Sequence, residues 1–497
     1  MGKAKIDWKK HSKLGLYAFV VFTLIMAAFP MLIESKFTFD EYFTINLVKN
    51  SWTDVIRLTG LDVHPPLYYL AVKLDVAILG ENFLAYHLVS FVCWIALVIV
   101  TEQFVSKVFG DKEALFAVLA LCCAPNMLRY ALQVRMYSMA MLLVTLGFYT
   151  TWFLGEQYSK DSANKKVWKY WGLLAVINVA AAYTHYFAGV AAVGVSCALL
   201  VYLLLTKRDY VRTLIQWCVY CLIMAVLYLP WMFVMFKQMR DINGNYWITA
   251  LSIETLYGYL DMLLGMSKEF LQYGLTVTLF LGCFYLVTKK DKSRRDYWKW
   301  GAFIAAGVFM VFGVGYSVLK TPILIDRYVV ILVPMLWVVV VVTLAERKEK
   351  WIEAGLVILF CLCFIVNQKD LYSEYQAVQN SEETRCLENN VMPGDIMYHT
   401  NAQRLAERAA FLTDTEHLLL EGCDEGEAFH YWSDMIGCKE VAGVSQVIEL
   451  AENKAATNAS VSIWCEDDTV LEEFKTAGWQ VEEYPAWSVV FYRLYRP

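Results

Sequence analysis

Long apolar runs separated by short charged stretches dominate the first 367 residues. Runs near 14–33, 85–104, 113–128, 136–154, 170–184, 186–206, 213–236, 269–288, 300–319, 328–345 and 351–367 predict about 11 membrane-spanning helices. Leu14 to Ile33 alone holds no charge over 20 positions, enough to cross a hydrocarbon core of roughly 30 Å at about 1.5 Å per residue. It is too long for a secretory signal, and no small-residue cleavage site follows it. Pro65 to Gly80 is also apolar, but it is short and carries Lys73 and Asp75. It predicts an interfacial helix instead of a span.

Beyond residue 367 the period changes. Short β-like runs (Asp395 to His399, Ser460 to Cys465, Trp487 to Leu494) alternate with helical ones (Gln403 to Phe411, Thr469 to Ala477), which predicts an α/β module. The expected architecture is an α-helical polytopic membrane domain, residues 1–367, with interfacial helices in its first outer loop, followed by an extracytoplasmic α/β domain, residues 368–497.

Composition agrees with this division. At 58% hydrophobic and 18% charged residues, the chain is too apolar for a soluble multidomain protein. Residues 368–497 hold 9 Lys+Arg against 24 Asp+Glu, so the formal charge of -5 conceals an acidic tail and a basic remainder. The expected cytoplasmic segments carry 23 Lys+Arg and the expected outer segments before residue 368 carry 11. By the positive-inside rule the amino terminus is cytoplasmic, and both the first loop and the tail are outside. No basic patch interleaved with aromatics suggests nucleic acid. Four of the 13 cysteines, Cys386, Cys423, Cys438 and Cys465, lie in the tail, where one or two disulfides or free thiols both fit. Cys218 and Cys221 sit in an apolar span, where packing explains them.

The candidate chemistry collects on the outer side. Asp40-Glu41 follows the first span, and Asp62-Val63-His64-Pro65-Pro66-Leu67-Tyr68-Tyr69 closes the same loop. Ionisable groups at a membrane face are candidates for function, although either carboxylate of the first pair could simply cap the helix that follows. Pro65-Pro66 holds Asp62-Val63-His64 extended at a helix amino end, an address suited to phosphate. A histidine satisfied within the loop fits equally well. Further polar groups fall at outer ends of spans: Arg135 and Tyr137, His185, Tyr246, and Arg327. Basic outer residues run against the positive-inside bias, which makes Arg135 and Arg327 the most telling.

Taken in order, Asp40-Glu41, the stretch from Asp62 to Tyr69, Arg135-Met136-Tyr137-Ser138, Tyr183-Thr184-His185-Tyr186 and Arg327-Tyr328 resemble the C-type membrane glycosyltransferases. The branch is the one holding the protein O-mannosyltransferases and the lipid A aminoarabinose transferase. The resemblance covers roughly residues 10–345. It implies a polyprenyl-phosphate-linked sugar donor, inversion at the anomeric carbon, and a lipid, glycan or protein hydroxyl as acceptor. It also implies that Asp40, with Glu41 beside it, is the catalytic base or orients the acceptor, that His64 lies near the donor phosphate with Arg135 and Arg327, and that Asp62, Tyr137, His185 and Tyr246 line the substrate cavity.

The residue types fit that chemistry independently. One carboxylate suffices to take the proton of an acceptor hydroxyl, and a phosphate leaving group needs cations and hydrogen-bond donors. No redox cofactor or nucleotide loop is called for, and no Walker or Rossmann glycine pattern is present. Asp40, Glu41 and Asp62 leave a divalent metal open without giving a ligand spacing. The alternative is a transporter or flippase for a lipid-linked glycan. Such a protein usually shows internal repeats or interrupted helices, which the pattern lacks.

Overall fold

The computed structural model describes residues 18, 20–23, 25–26, 36–160, 165–206, 209–241, 248–423, 432–456 and 461–496. The chain divides into two compact units, one of residues 1–33 with 63–372, the other of residues 34–62 with 373–497. The described first-loop residues 36–62 thus cluster with the carboxyl-terminal residues.

The first unit is helical. Among the described residues of the chain, 8 helices are long and apolar enough to cross a membrane. They coincide with the spans expected at 85–104, 136–154, 186–206, 213–236, 269–288, 300–319, 328–345 and 351–367. The span expected at 113–128 is instead a 13-residue helix, Asp111–Cys123, followed by the short helix Met127–Leu132. Pro125 and the left-handed Asn126 (φ 60°) separate the two, and 13 residues reach only about 20 Å. The span expected at 170–184 is the helix Lys165–Thr184, whose lysines and Asn178 keep it out of the apolar class. The first expected span lies largely outside the described residues. Pro65 to Gly80 gives the helix Leu67–Leu79, with Tyr68, Tyr69 and Val72 buried. Helices Tyr186–Thr206 and Arg294–Leu319 approach closely at Gly194, where an added Cβ would stand 2.6 Å from the Ala305 carbonyl oxygen. Small residues at such crossings are what lets apolar helices pack in lipid.

The second unit centres on a six-stranded sheet: β1 (Ile396–His399), β2 (Glu416–Leu420), β3 (Lys439–Val441), β4 (Ile463–Cys465), β5 (Gln480–Ala486) and β6 (Val489–Tyr495). The order is β3-β2-β1-β4-β6-β5, parallel through the first four, with an antiparallel β5–β6 hairpin at one edge. Alternation along each strand supplies two cores. Ile396, Tyr398, Ile463, Cys465 and Leu494 face one side, and Met397, Trp464 and Phe491 face the other. Asp395 pins β1 to β4, accepting from the Ser462 amide (2.9 Å) and the Trp464 indole (3.0 Å). Cys386 and Cys465 are free thiols, as are Cys218 and Cys221 among the membrane helices.

Arg408, on the helix Ala402–Phe411, is fully buried and reaches three carboxylates: Glu383 at 2.9 Å, Glu466 at 2.9 Å and Glu407 at 3.1 Å. It ties that helix to the helix Glu382–Asn390 and to the turn after β4. Removing one partner of a buried ionic group strands the others, at a cost of roughly 3–5 kcal/mol. Arg408→Ala is therefore expected to lower the thermal midpoint of the detergent-solubilised protein and to open residues 373–497 to limited proteolysis. An unchanged melting curve would show that the cluster contributes nothing net.

Candidate active site

Asp40 and Glu41 lie in the first turn of the helix Phe39–Lys49, whose amino cap is Thr38. Glu41 is buried, and its Oε2 accepts from both the Thr38 amide (2.8 Å) and the Thr38 hydroxyl (2.7 Å). These bonds complete a capping box, so the Glu41 carboxylate is committed to starting the helix. Asp40, one position earlier, is half-buried. The helix amino end favours a negative charge at this position. Asp62 is buried at the end of the neighbouring helix Trp52–Leu61, its amide bonded to the Leu58 carbonyl. The expected extended run from Asp62 to His64 is a turn at Asp62-Val63 and a bend at His64, because the helix Trp52–Leu61 continues into it before Pro65 interrupts.

In the membrane unit, four basic side chains that are far apart in sequence gather. Arg135 is 4% exposed, and its Nη2 lies 3.4 Å from Nε2 of half-buried His64. The His64 ring is 6.2 Å from that of His185. His185 in turn lies within electrostatic reach of His64, Arg135 and Arg327. Tyr137 (6.0 Å) and Tyr328 (4.6 Å, edge-on) flank the His185 ring. The Phe187 amide donates to His185 Nδ1 at 3.1 Å, which leaves Nε2 as the ring's donor when neutral. The structure thus assembles His64, Arg135, Tyr137, His185 and Arg327. Tyr246 lies outside the described residues.

The backbone that presents Arg135 is held by side chains of the helix Phe83–Val108. The chain breaks between the helices Met127–Leu132 and Tyr137–Lys160, exposing carbonyls at the break. His87 Nδ1 donates to the Leu132 carbonyl (2.7 Å), and the Ser90 hydroxyl donates to the Gln133 carbonyl (2.7 Å). The Ser138 hydroxyl returns a bond to the Ser90 carbonyl (2.6 Å), and Tyr68 OH pairs with Ser90 Oγ at 2.8 Å. The sequence reading missed His87 and Ser90. Their signal was present as two polar residues in the apolar first half of that span, which must find partners in lipid.

Beside this cluster a cavity of about 340 Å³ opens among the membrane helices. His185 and Tyr328 line it together with Val63, Val190, Val193, Tyr228, Phe312 and Tyr316. A largely apolar cavity that shares His185 with a basic cluster suits an amphipathic anion, with the charge in the cluster and the chain in the cavity. Among the described residues no group of three or more His, Cys, Asp or Glu is placed to hold a metal ion.

The comparisons with known proteins follow the same line. In fold the chain is similar to ArnT from Cupriavidus metallidurans bound to undecaprenyl phosphate, with TM-score 0.63 and 12% identity over 96% of this chain and 97% of that one. The apo state of that protein gives TM-score 0.61, again at 12% identity, over 97% and 98%. The archaeal oligosaccharyltransferase AglB from Archaeoglobus fulgidus, in complex with an inhibitory peptide and a dolichol-phosphate, gives TM-score 0.51 and 8% identity over 92% of this chain and 70% of that one. No curated protein matches the sequence. The architecture is that of ArnT and AglB. Residues 63–233, which carry His64, Arg135, Tyr137 and His185, match the family described as dolichyl-phosphate-mannose-protein mannosyltransferase. The resemblance read from the sequence is borne out.

Proposed function

We propose that the protein is an inverting glycosyltransferase that moves a sugar from a polyprenyl-phosphate donor to a hydroxyl of a lipid, glycan or protein outside the cytoplasm. The observation that carries this reading is the gathering of His64, Arg135 and Arg327 around His185, which itself lines an apolar cavity between membrane helices. A polyprenyl chain fits the cavity wall and a phosphate fits the basic cluster. The bound undecaprenyl phosphate and dolichol-phosphate of the two similar proteins support the donor class.

In the reaction as we read it, the acceptor oxygen attacks the anomeric carbon from the face opposite the phosphate. Its proton passes to the Asp40 carboxylate, and the C–O bond to the phosphate breaks with its electron pair. The departing phosphate gains negative charge, which Arg135, Arg327 and His64 stabilise by charge-assisted hydrogen bonds in a site shielded from water. Asp62, Tyr137 and the His185 Nε2 donor orient the sugar and its phosphate. No cofactor enters these steps. The base role falls to Asp40 because the Glu41 carboxylate is engaged by Thr38. In this reading the amino terminus is cytoplasmic and the carboxyl-terminal domain extracytoplasmic, an orientation that the Lys and Arg distribution supports.

Mass spectrometry of surface glycolipids, polymers and proteins from cells with and without the gene tests the proposal. The expected result is the loss of one sugar-sized mass increment from a defined acceptor, restored by the wild-type gene. Unchanged glycoconjugates together with a lipid-linked glycan retained on the inner leaflet would replace transfer with transport.

A further inference from the structure

We propose that the carboxyl-terminal domain is the mount that holds the Asp40 carboxylate in place, with Asn46 and Asn50 as its positioning residues. The inference rests on the reading of Asp40 as the base and extends it to residues that touch no substrate.

The helix Phe39–Lys49 belongs to the core of the second unit. All eight residues from Glu41 to Val48 are buried, whereas a surface helix keeps a polar face in solvent. Its partner is the helix Ala402–Phe411, more than 350 positions away in the chain. Asn46 Nδ2 donates to the Ala406 carbonyl at 2.8 Å, a buried bond with a sequence separation of 360. Asn50 closes the other end. Its Nδ2 donates to the Asn46 carbonyl (3.0 Å) at the helix end and to the Met435 carbonyl at 2.8 Å. The flanks are tied as well. Lys36 pairs with Glu388 (2.8 Å), Gln379 donates to the Lys36 carbonyl (3.0 Å), and Arg57 pairs with Asp434 (2.9 Å).

Apolar burial alone would keep this helix on the domain without fixing its rotation or its slide. Phe43 and Leu47 can pack in more than one register, because the hydrophobic effect is not directional. A buried amide is directional: turned away from Ala406, it would be left without a partner. Asn46 therefore sets the register. Asp40, six residues and about 9 Å up the same helix, takes its position from that setting, and the Thr38–Glu41 box fixes the first turn. A displacement of about 1 Å at a reacting group can cost on the order of 100-fold in rate.

The test uses full-length enzyme in membranes of cells lacking their own copy. A lipid extract of the same cells, diluted in series, serves as donor, and transfer is followed by the mass increment defined above. Asn46→Leu keeps the size of the side chain without its bond, and Asn46→Ser keeps a donor on a shorter stem. The expected result is a maximal rate lowered about 10-fold or more for Asn46→Leu and less for Asn46→Ser, with the apparent KM for the extract within about twofold of wild type, because the phosphate cluster is untouched. Wild-type maximal rates in both variants, or a rise in apparent KM alone, would overturn the positioning role while Asp40→Asn stayed inactive. Full activity of Asp40→Asn would instead remove the catalytic reading of Asp40 itself.

Discussion

Replacing Asp40 by Asn is expected to abolish sugar transfer while leaving the protein's level and membrane insertion unchanged. The two side chains have nearly the same shape. Asp40 is not the cap, so the helix Phe39–Lys49 keeps its start, which Thr38 and Glu41 supply. What disappears is the charge and the basicity. An amide oxygen cannot take up the acceptor's proton as the new bond forms, and general-base catalysis of this kind contributes about 100- to 10,000-fold. The measurement is single-turnover transfer at matched protein levels. Glu41→Gln provides the contrast: glutamine also completes a capping box, so this variant is expected to retain much of its activity. A wild-type rate in Asp40→Asn would assign the proton to another group.

Arg135→Gln is expected to lower kcat/KM by about 100- to 1,000-fold, the usual result of deleting a donor aimed at charge that develops in the transition state. Arg135 is 4% exposed and lies 3.4 Å from His64, with His185 also near. Crowding these basic groups is unfavourable unless an anion sits among them, and a departing phosphate is such an anion. Lysine at this position should recover only part of the loss, since an ammonium cannot match the two-pronged geometry of guanidinium on phosphate. Titration with short-chain polyprenyl phosphate separates binding from chemistry. Unchanged kcat/KM in Arg135→Gln would remove the phosphate from this cluster.

Much of the membrane unit was legible because its logic is local. Apolar runs gave the spans, and isolated polar residues at their outer ends gave His64, Arg135, Tyr137, His185 and Arg327, which the fold brings together. The α/β nature of the tail was equally plain from β1, β4 and β6, the first two of which are near-continuous apolar runs because both faces are covered. Three strands escaped for physical reasons. β3 has three residues, and β5 lies at the sheet edge, where exposed Glu482 and Glu483 and a proline are tolerated. β2 begins with Glu416 and His417, which read as polar loop. The packing of residues 34–62 against residues 373–497 could not be read at all. It is written in single contacts such as Asn46 with Ala406, and nothing near Asn46 in the sequence names its partner.

That long-range pairing also bears on how the enzyme is made. The helix Phe39–Lys49 leaves the ribosome some 350 residues before the helix Ala402–Phe411 on which it rests. At translation rates of about 5–20 residues per second, it waits tens of seconds for its seat. During that interval Tyr42, Phe43, Ile45, Leu47 and Val48, all buried in the finished protein, have no surface to cover them. An unfinished or truncated chain therefore carries an unseated Asp40 and an apolar segment open to chaperones and proteases. Asp40 takes its place only after residues 402–411 have been made.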